Sequence, residues 1–508
     1  MRSSILSPRF RPGKQFALTW SIPEPFGGMT GALMHRSRSF ALLADRPVDI
    51  LTLDDRVDYP ELEQRLRARG ELIDGIRIIN IWDWLRDRED SGEDAGGAET
   101  APRHIHDPIP VDADSVEHRH GDVVLLREVR AADGGALAAD RFRRDGTLLV
   151  TDRRDPQTRK RSVVLYDRRG RPVRSWGSAW GLYRHWLDEL VGDDESFLIV
   201  DSKTAARFAR TYRRRNVVTM HVLHGSHRTA DGSGLSSSRR SVLENLGDFD
   251  SVALLTRAQR ADLISDLGPH ENVAVIPNGF NDVMSGGPAA HRRGRGLMLA
   301  SLTARKRVSH AVKAVARASR EADVTLDVFG EGVRRPLLEK TIRSQRMQQR
   351  VSLRGHDDAA RSAFATADFM LLTSKAEGLP LALVEGMAAG CVPIAYDIPY
   401  GPADVIAHGS NGFLVPPGDV DGLAQRIVEL QRMPRHRVET MRRRARATAA
   451  QFSDRAVVRA WAREMERAYE RKHAASSPQS TIRRLRRAIG RAKRRIIRLS
   501  GRYERSDA

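Results

Sequence analysis

A chain of 508 residues, 40% hydrophobic and 30% charged, has the composition of a soluble protein too long for one core and suited to two or three domains. Aromatic residues make up 6%, too few for a base-stacking nucleic-acid surface, and the single Cys391 excludes an internal disulfide and a cysteine metal cluster. The net charge is +20, no run reaches the roughly 18 apolar residues of a membrane span, and the opening MRSSILSPRFRPGKQFALTW lacks a signal-peptide core; a cytoplasmic protein is expected.

QFALTWSI predicts a first strand, followed by a loop holding Gly27 and Gly28 and a helix from Thr30 to Leu43. Strand, glycine loop and helix is the arrangement that brings backbone close to a phosphate or sugar. DILTL and IRIIN read as further strands. GEDAGGAETAPRH then breaks the pattern. Short alternating segments follow, DVVLLREVR, ALAADRFRR, TLLVTDR and RSVVLYDRRGRPVRSW, divided by DGG, RDG and RRG turns. That spacing predicts an antiparallel sheet inserted into an α/β domain. Its exposed edges point to homo-oligomerisation, against the alternative of a decorative hairpin stack.

The α/β rhythm resumes with FLIVDS, a helix, and VVTMHVLHGSH, whose His224 and His227 follow a strand and are expected to face a cleft, while His221 belongs to the strand. SVALLT and VAVIPNG complete this part. A second unit alternates strand and helix through GLMLASL, VSHAVKAVARASR, VTLDVFG, VSLRG, DFMLLTS and VPIAYD. Such alternation predicts a parallel, doubly wound sheet with ligands outside the carboxyl ends of its strands. Cys391, in CVPIA, reads as a buried inert thiol.

Glu377 and Glu385 lie in AEGLPLALVEGMAAGCVPIAYD, the first on the loop after DFMLLTS and the second one turn into a helix. Gly378, Leu379 and Pro380 join them. A helix start offers N–H groups and a partial positive charge to a phosphate, and carboxylates accept from vicinal hydroxyls. The loop is expected to be a solvent-facing cleft that holds a nucleotide-sugar; the plainer alternative is a helix-capping Glu377 and a solvated Glu385. Lys306, after the first strand of the second unit, can neutralise a leaving diphosphate. Neither the DAD at Asp112–Asp114 nor the DFD at Asp248–Asp250 has the context of a metal site.

The E-x7-E spacing of Glu377 and Glu385 resembles the signature of retaining family-4 glycosyltransferases of GT-B fold. More narrowly, YDIPYGPADVI followed by NGFLVPPGD resembles the bacterial poly(glycerol-phosphate) glucosyltransferase group, which includes wall-teichoic-acid glycosyltransferases and the transferase that modifies serine-rich adhesins. PFGGMTGALMHRSRSF resembles the glycine loop of the same group. The resemblance implies an α/β GT-B protein with two Rossmann-like domains facing a cleft and an antiparallel β insertion in the N-terminal one. It divides the chain into 1–97 and 177–285 (N-terminal domain), 98–176 (insertion, serving assembly or acceptor binding), 286–452 (nucleotide-sugar domain), 453–474 (a helix returning to the first domain) and 475–508 (tail).

It further implies catalytic roles for Glu377, His224 and Lys306, and donor contacts from Gly27, Gly28, Arg305, Lys306, Gly330, Gly378, Leu379, Pro380 and Glu385. Gly332 shares the glycine loop of Gly330. No metal and no cofactor beyond the UDP-sugar co-substrate are implied. The family loop carries an Arg as well as the Lys; Ser301 stands at the Arg position, leaving Arg305 or Arg307 to supply the charge. The function implied is retaining transfer of glucose or N-acetylglucosamine from a UDP-sugar to an anionic, teichoic-acid-like polymer or a protein. The alternative is a non-catalytic acceptor-binding subunit of a transferase complex.

In the tail, Ile482, Leu485, Ile489, Ala492, Ile496 and Leu499 recur at steps of three and four among arginines. That pattern reads as a basic amphipathic helix for an anionic membrane surface over 481–499, peripheral at the inner face. A helix docked on protein and a solvated tail are the alternatives. Nucleic acid is not an expected partner, since aromatics and recognised motifs are missing.

Overall fold

The computed structural model describes residues 9–474 apart from 25, 89–106, 111–113, 131–135, 156, 159, 230–231, 281–290 and 358. The expected membrane-binding stretch 481–499, with the rest of the tail, lies outside the described residues, as do Asp112 and Ala113 of the DAD motif.

Three sheets organise the chain. β1 (Lys14–Leu18), β2 (Val48–Thr52) and β3 (Ile76–Asn80) come first, and the inserted β4 (Ser115–His120), β5 (Val123–Arg130), β6 (Ala136–Phe142), β7 (Leu148–Arg154), β8 (Arg161–Tyr166) and β9 (Pro172–Trp176) follow. β10 (Ser196–Val200), β11 (Val217–Leu223), β12 (Ser251–Leu254) and β13 (Val273–Val275) return to the first sheet, whose order is β13-β12-β11-β10-β1-β2-β3, all parallel. Every residue of β10 and β11 is buried, as strands covered on both faces require.

The second domain carries β14 (Arg292–Leu299), β15 (Thr325–Phe329), β16 (Val351–Gly355), β17 (Ala367–Leu372), β18 (Val392–Tyr396) and β19 (Phe413–Val415), in the parallel order β16-β15-β14-β17-β18-β19. In each parallel sheet the strand order reverses once, between β1 and β10 in the first and between β14 and β17 in the second. A crevice opens at the carboxyl ends of the strands at such a reversal, and ligands of doubly wound sheets bind there.

The insertion is a six-stranded antiparallel meander in the order β4 to β9. β4, SVEHRH, has no apolar alternation to mark it; its register against β5, from Ser115↔Val129 to His120↔Val123, makes it a strand. One face joins the first domain: Leu149, Val150 and Val163 share a core with Trp186 and Tyr183. Arg141 pairs bidentately with Asp55 at 2.5 and 2.8 Å and lies 3.7 Å over the Trp82 ring.

The helix Asp454–Ala474 lies on the first domain, with Trp461 edge-on to Phe40, Glu464 accepting from Ser251 Oγ at 2.7 Å, and His35 bonding Asp454 at 2.6 Å. Among the described residues no helix is long and apolar enough to cross a membrane.

Candidate active site

Glu377 follows β17 at the second domain's strand reversal. Its carboxylate is gripped from the loop after β14: Lys306 Nζ donates to Oε1 at 2.5 Å and Arg305 Nη1 to Oε2 at 3.2 Å. The two loops are stitched by backbone as well, since Lys375 N donates to Arg305 O and Thr373 Oγ1 donates to the carbonyls of Lys306 and Arg307. The Glu377 side chain is only 10% exposed, so the expectation of a solvent-facing loop is corrected: two cations close over it. Burial would raise its carboxyl, but Lys306, with Arg305, outweighs that and holds it below the usual carboxylate range. Glu377 does not cap the following helix, Leu381–Ala389; Pro380 is its N-cap, without a side-chain hydrogen bond. Glu385, in the second turn, accepts from Arg361 Nε at 2.9 Å and is mostly buried, not the solvated residue of the plainer reading.

Gly378 is where the two domains meet. A Cβ there would lie 2.3 Å from the carbonyl oxygen of His224. The loop Gly330–Gly332 packs on the Lys306 loop: Gly330, at φ +135°, has space for a Cβ only 2.2 Å from Ala300 O, and Leu302 N donates to Glu331 O at 2.8 Å. These positions need glycine whatever binds beside them. Gly27, the N-cap of the helix Gly28–Ala44, and Gly28 differ: a Cβ at either meets nothing within 4 Å, and the backbone there is open to an approaching group.

The first domain's half of the cleft centres on His224, one residue past β11. Its Nε2 bonds Asp201 Oδ1 at 2.7 Å, and Arg36 grips the same carboxylate through two bonds of 2.8 and 2.7 Å. Asp201 is buried, which would raise its carboxyl; Arg36 and His224 reverse this and hold it well below the usual range. A permanent anion at this point fixes the orientation of the His224 ring. His221 is part of β11; its Nδ1 bonds Val200 O at 2.8 Å, and burial lowers its pKa to about 4.

His227, expected beside His224 in the cleft, instead lies fully buried at the domain contact. It bonds Asp266 at 3.0 Å and stacks on Tyr400, whose hydroxyl donates to Asp262 at 2.8 Å. Arg307 is excluded from the Glu377 contact, with its Nη1 buried and without a partner among the described residues, whereas Arg305 takes the place offered to it. Ser301 is exposed and brings no charge. Cys391 is buried, with its thiol pushed up to about 12. Among the described residues no three His, Cys, Asp or Glu side chains converge as metal ligands; Asp248 pairs with Arg210 and Arg213, and Asp250 with Lys472.

Sequence reasoning missed Asp201, Arg36, Trp20, Lys203 and Arg239. Asp201 and Trp20 stand just past β10 and β1, on either side of the first sheet's strand reversal, and a cavity of about 360 Å³ opens there. Their place at strand ends was the available signal; Arg36, 165 residues from its partner Asp201, gave none.

Residues 294–432 match the family of glycosyl transferases group 1. The chain is 21% identical over 460 residues to the poly(ribitol-phosphate) alpha-N-acetylglucosaminyltransferase of Staphylococcus aureus (strain COL), covering 82% of this chain and 92% of that protein. It is 24% identical to the poly(glycerol-phosphate) alpha-glucosyltransferase of Bacillus subtilis (strain 168), over 49% of this chain and only 38% of that protein. The crystal structure of a mutant S. aureus TarM in complex with fondaparinux, alpha-GlcNAc-glycerol and UDP superposes with a TM-score of 0.72 at 18% identity, covering 89% of this chain and all of that one. This chain thus has the GT-B fold, and its second domain is similar to the group 1 glycosyl transferases.

Proposed function

We propose that the chain is a retaining, metal-independent hexosyltransferase, moving glucose or N-acetylglucosamine from a UDP-sugar to a hydroxyl of an anionic, teichoic-acid-like polymer. The observation that carries this reading is the clasp of Glu377 by Lys306 and Arg305 at the second domain's strand reversal, packed through Gly378 against the His224 loop of the first. Glu377 and Glu385 offer carboxylate oxygens to sugar hydroxyls, and Gly330, Leu379 and Pro380 shape the surrounding loops. Lys306 and Arg305 oppose a diphosphate, whose charge grows as the bond to the sugar breaks. A diphosphate arriving between them competes for both cations and frees the Glu377 oxygens for the sugar. His224, anchored by Asp201, contacts the sugar from the opposite wall, and Gly27 and Gly28 leave room for close backbone approach.

Retention follows when the acceptor hydroxyl attacks on the face the diphosphate leaves. The acceptor-oxygen bond to the anomeric carbon forms, the phosphate-oxygen bond breaks, and the acceptor proton passes to the departing phosphate. The chain's charge of +20 favours an anionic acceptor, and the two named relatives are poly(ribitol-phosphate) and poly(glycerol-phosphate) transferases. Ser301 is the observation behind the non-catalytic alternative, which is not favoured because Glu377, Glu385 and Lys306 are all present and Arg305 supplies a second cation. The test is incubation of the purified chain with UDP-glucose or UDP-N-acetylglucosamine and teichoic acid in the presence of a chelator, with the product's anomeric proton read by NMR. No turnover of any nucleotide-sugar would sink the reading; an inverted product would remove retention.

The reading extends to the two remaining surfaces. Residues 481–499 would hold the enzyme at an anionic membrane, and the β4 edge, where Val116 is 50% exposed, would serve self-association. Removing 475–508 should leave turnover of a soluble acceptor nearly unchanged and reduce pelleting with anionic vesicles at low salt. Equal pelleting with and without the tail would assign it to a protein partner instead. Sedimentation velocity of the full chain decides the oligomer.

A further inference from the structure

The cavity at the β1/β10 reversal holds more positive charge than its own carboxylate balances. Trp20, Met29, Lys203, His224 and Arg239 line it, with Asp201 among them. Asp201 is already matched by Arg36 and His224. Arg239 has no carboxylate partner among the described residues; its Nη1 donates to the carbonyl of Ser226, and its guanidinium lies against Gly225. Burial depresses the Arg239 pKa with no anion opposing it. Lys203 likewise makes no ion pair among the described residues. A half-buried guanidinium without a counter-ion is costly, and an anion entering the cavity removes that cost. Planar, bidentate recognition of phosphate oxygens is what a guanidinium does best. The volume, about 360 Å³, is at the lower end of the roughly 300–1,000 Å³ of small-ligand sites.

We infer that this cavity is the acceptor's anion subsite: Arg239 and Lys203 take a phosphodiester phosphate, and the adjoining polyol lies along Trp20 with a hydroxyl at His224. This deepens the proposed function and rests on it for the identity of the ligand as acceptor. Two sources could bring a phosphate here, the acceptor's phosphodiester and the donor's diphosphate. The donor's charge already has Lys306 and Arg305 on the opposite domain, which assigns the first-domain cations to the acceptor.

Calorimetric titration of the full chain tests this, with the singly charged methyl ester of glycerol 3-phosphate, with glycerol, and with UDP as separate probes. The wild-type chain should bind the phosphodiester and prefer it to glycerol by tenfold or more. Arg239→Met should weaken the phosphodiester by roughly tenfold or more, the range of a lost charge-assisted bond. Arg239→Lys should recover part of that loss, and UDP affinity should change by less than twofold. Lys203→Met, at an exposed position, should weaken the same probe by several-fold and keeps the inference testable if Arg239→Met misfolds. Equal losses for UDP and the phosphodiester would assign the cations to the donor and overturn the inference. Unchanged phosphodiester affinity in both Met variants, or no binding by the wild-type chain, would overturn it too. Phosphate-selective binding that depends on Arg239 supports the anion subsite even if no nucleotide-sugar is turned over, an outcome that would sink the transferase reading separately.

Discussion

Glu377 keeps its charge in a mostly buried place because Lys306 and Arg305 come to it from a loop about seventy positions earlier. The same contact makes its removal informative. Glu377→Ala frees two cations, so UDP should bind no more weakly than to the wild-type chain, while transfer falls on the order of 10²-fold, the usual loss for a stabilising contact at the reacting centre. Retention of a tenth of the wild-type rate would remove Glu377 from contact with the sugar. Lys306→Ala should act the other way round on binding, weakening UDP and the intact donor alike because the proposed contact is to phosphate. Unchanged UDP affinity would give that charge to Arg305. Both residues were legible in the sequence, since each falls just past an apolar strand and the E-x7-E spacing marks the loop. His224 was legible by its family likeness and its strand end, but the Asp201–Arg36 pair that orients it was not, because nothing in FLIVDS names an arginine on the first helix as its partner. His227 shows the limit of the strand-end argument: three residues beyond His224, the chain has already turned into the domain contact.

At the scale of elements, the strand–helix rhythm was readable almost throughout because buried parallel strands leave continuous apolar runs such as FLIV and VVTM. β4 was hidden for the converse reason: an edge strand of polar residues depends on its neighbour and not on its own pattern. The glycine loops were read as places of close backbone approach and donor contact, yet their physical causes differ. Gly378→Ala places a methyl 2.3 Å from the His224 carbonyl, backbone against backbone, and the loops must part. Overpacking of this kind costs about 1–3 kcal/mol, and a displacement near 1 Å at the reacting centre is enough to lower transfer about 10²-fold. We therefore expect Gly378→Ala to lower both Tm and transfer. Gly27→Ala, whose methyl meets nothing, should leave Tm unchanged, and differential scanning calorimetry of the two variants checks the contrast. Equal Tm values would mean that the domain contact at Gly378 yields easily.

For the whole molecule, the site exists only where two strand reversals face each other, and side chains at the domain contact set that juxtaposition. Asp404 of the second domain accepts from Arg257 N at 2.7 Å and Ala258 N at 3.2 Å, at the start of the helix Arg257–Leu267 in the first. That helix has its own cap, Thr256 Oγ1 accepting from Gln259 N, so Asp404 contributes to domain pairing more than to the helix. Tyr400 reaches Asp262 of the same helix, while its backbone N–H donates to Glu377 O at 3.0 Å, linking the contact to the Glu377 loop. None of this was readable from YGPADVI as a motif; a cross-domain hydrogen bond has no local signature. The double variant Asp404→Ala, Tyr400→Phe removes the side-chain bonds and leaves the Tyr400 backbone in place. Three bonds are lost, each worth about 0.5–1.5 kcal/mol of domain pairing, together a loss of roughly ten- to a thousandfold in the pairing equilibrium and a corresponding fall in transfer. With UDP placed on the second domain, as proposed, it should bind the variant as it binds the wild-type chain. The measurement is transfer rate beside UDP affinity by calorimetry. A parallel fall in both would show that Tyr400 and Asp404 shape the nucleotide site itself, and the pairing role would be lost.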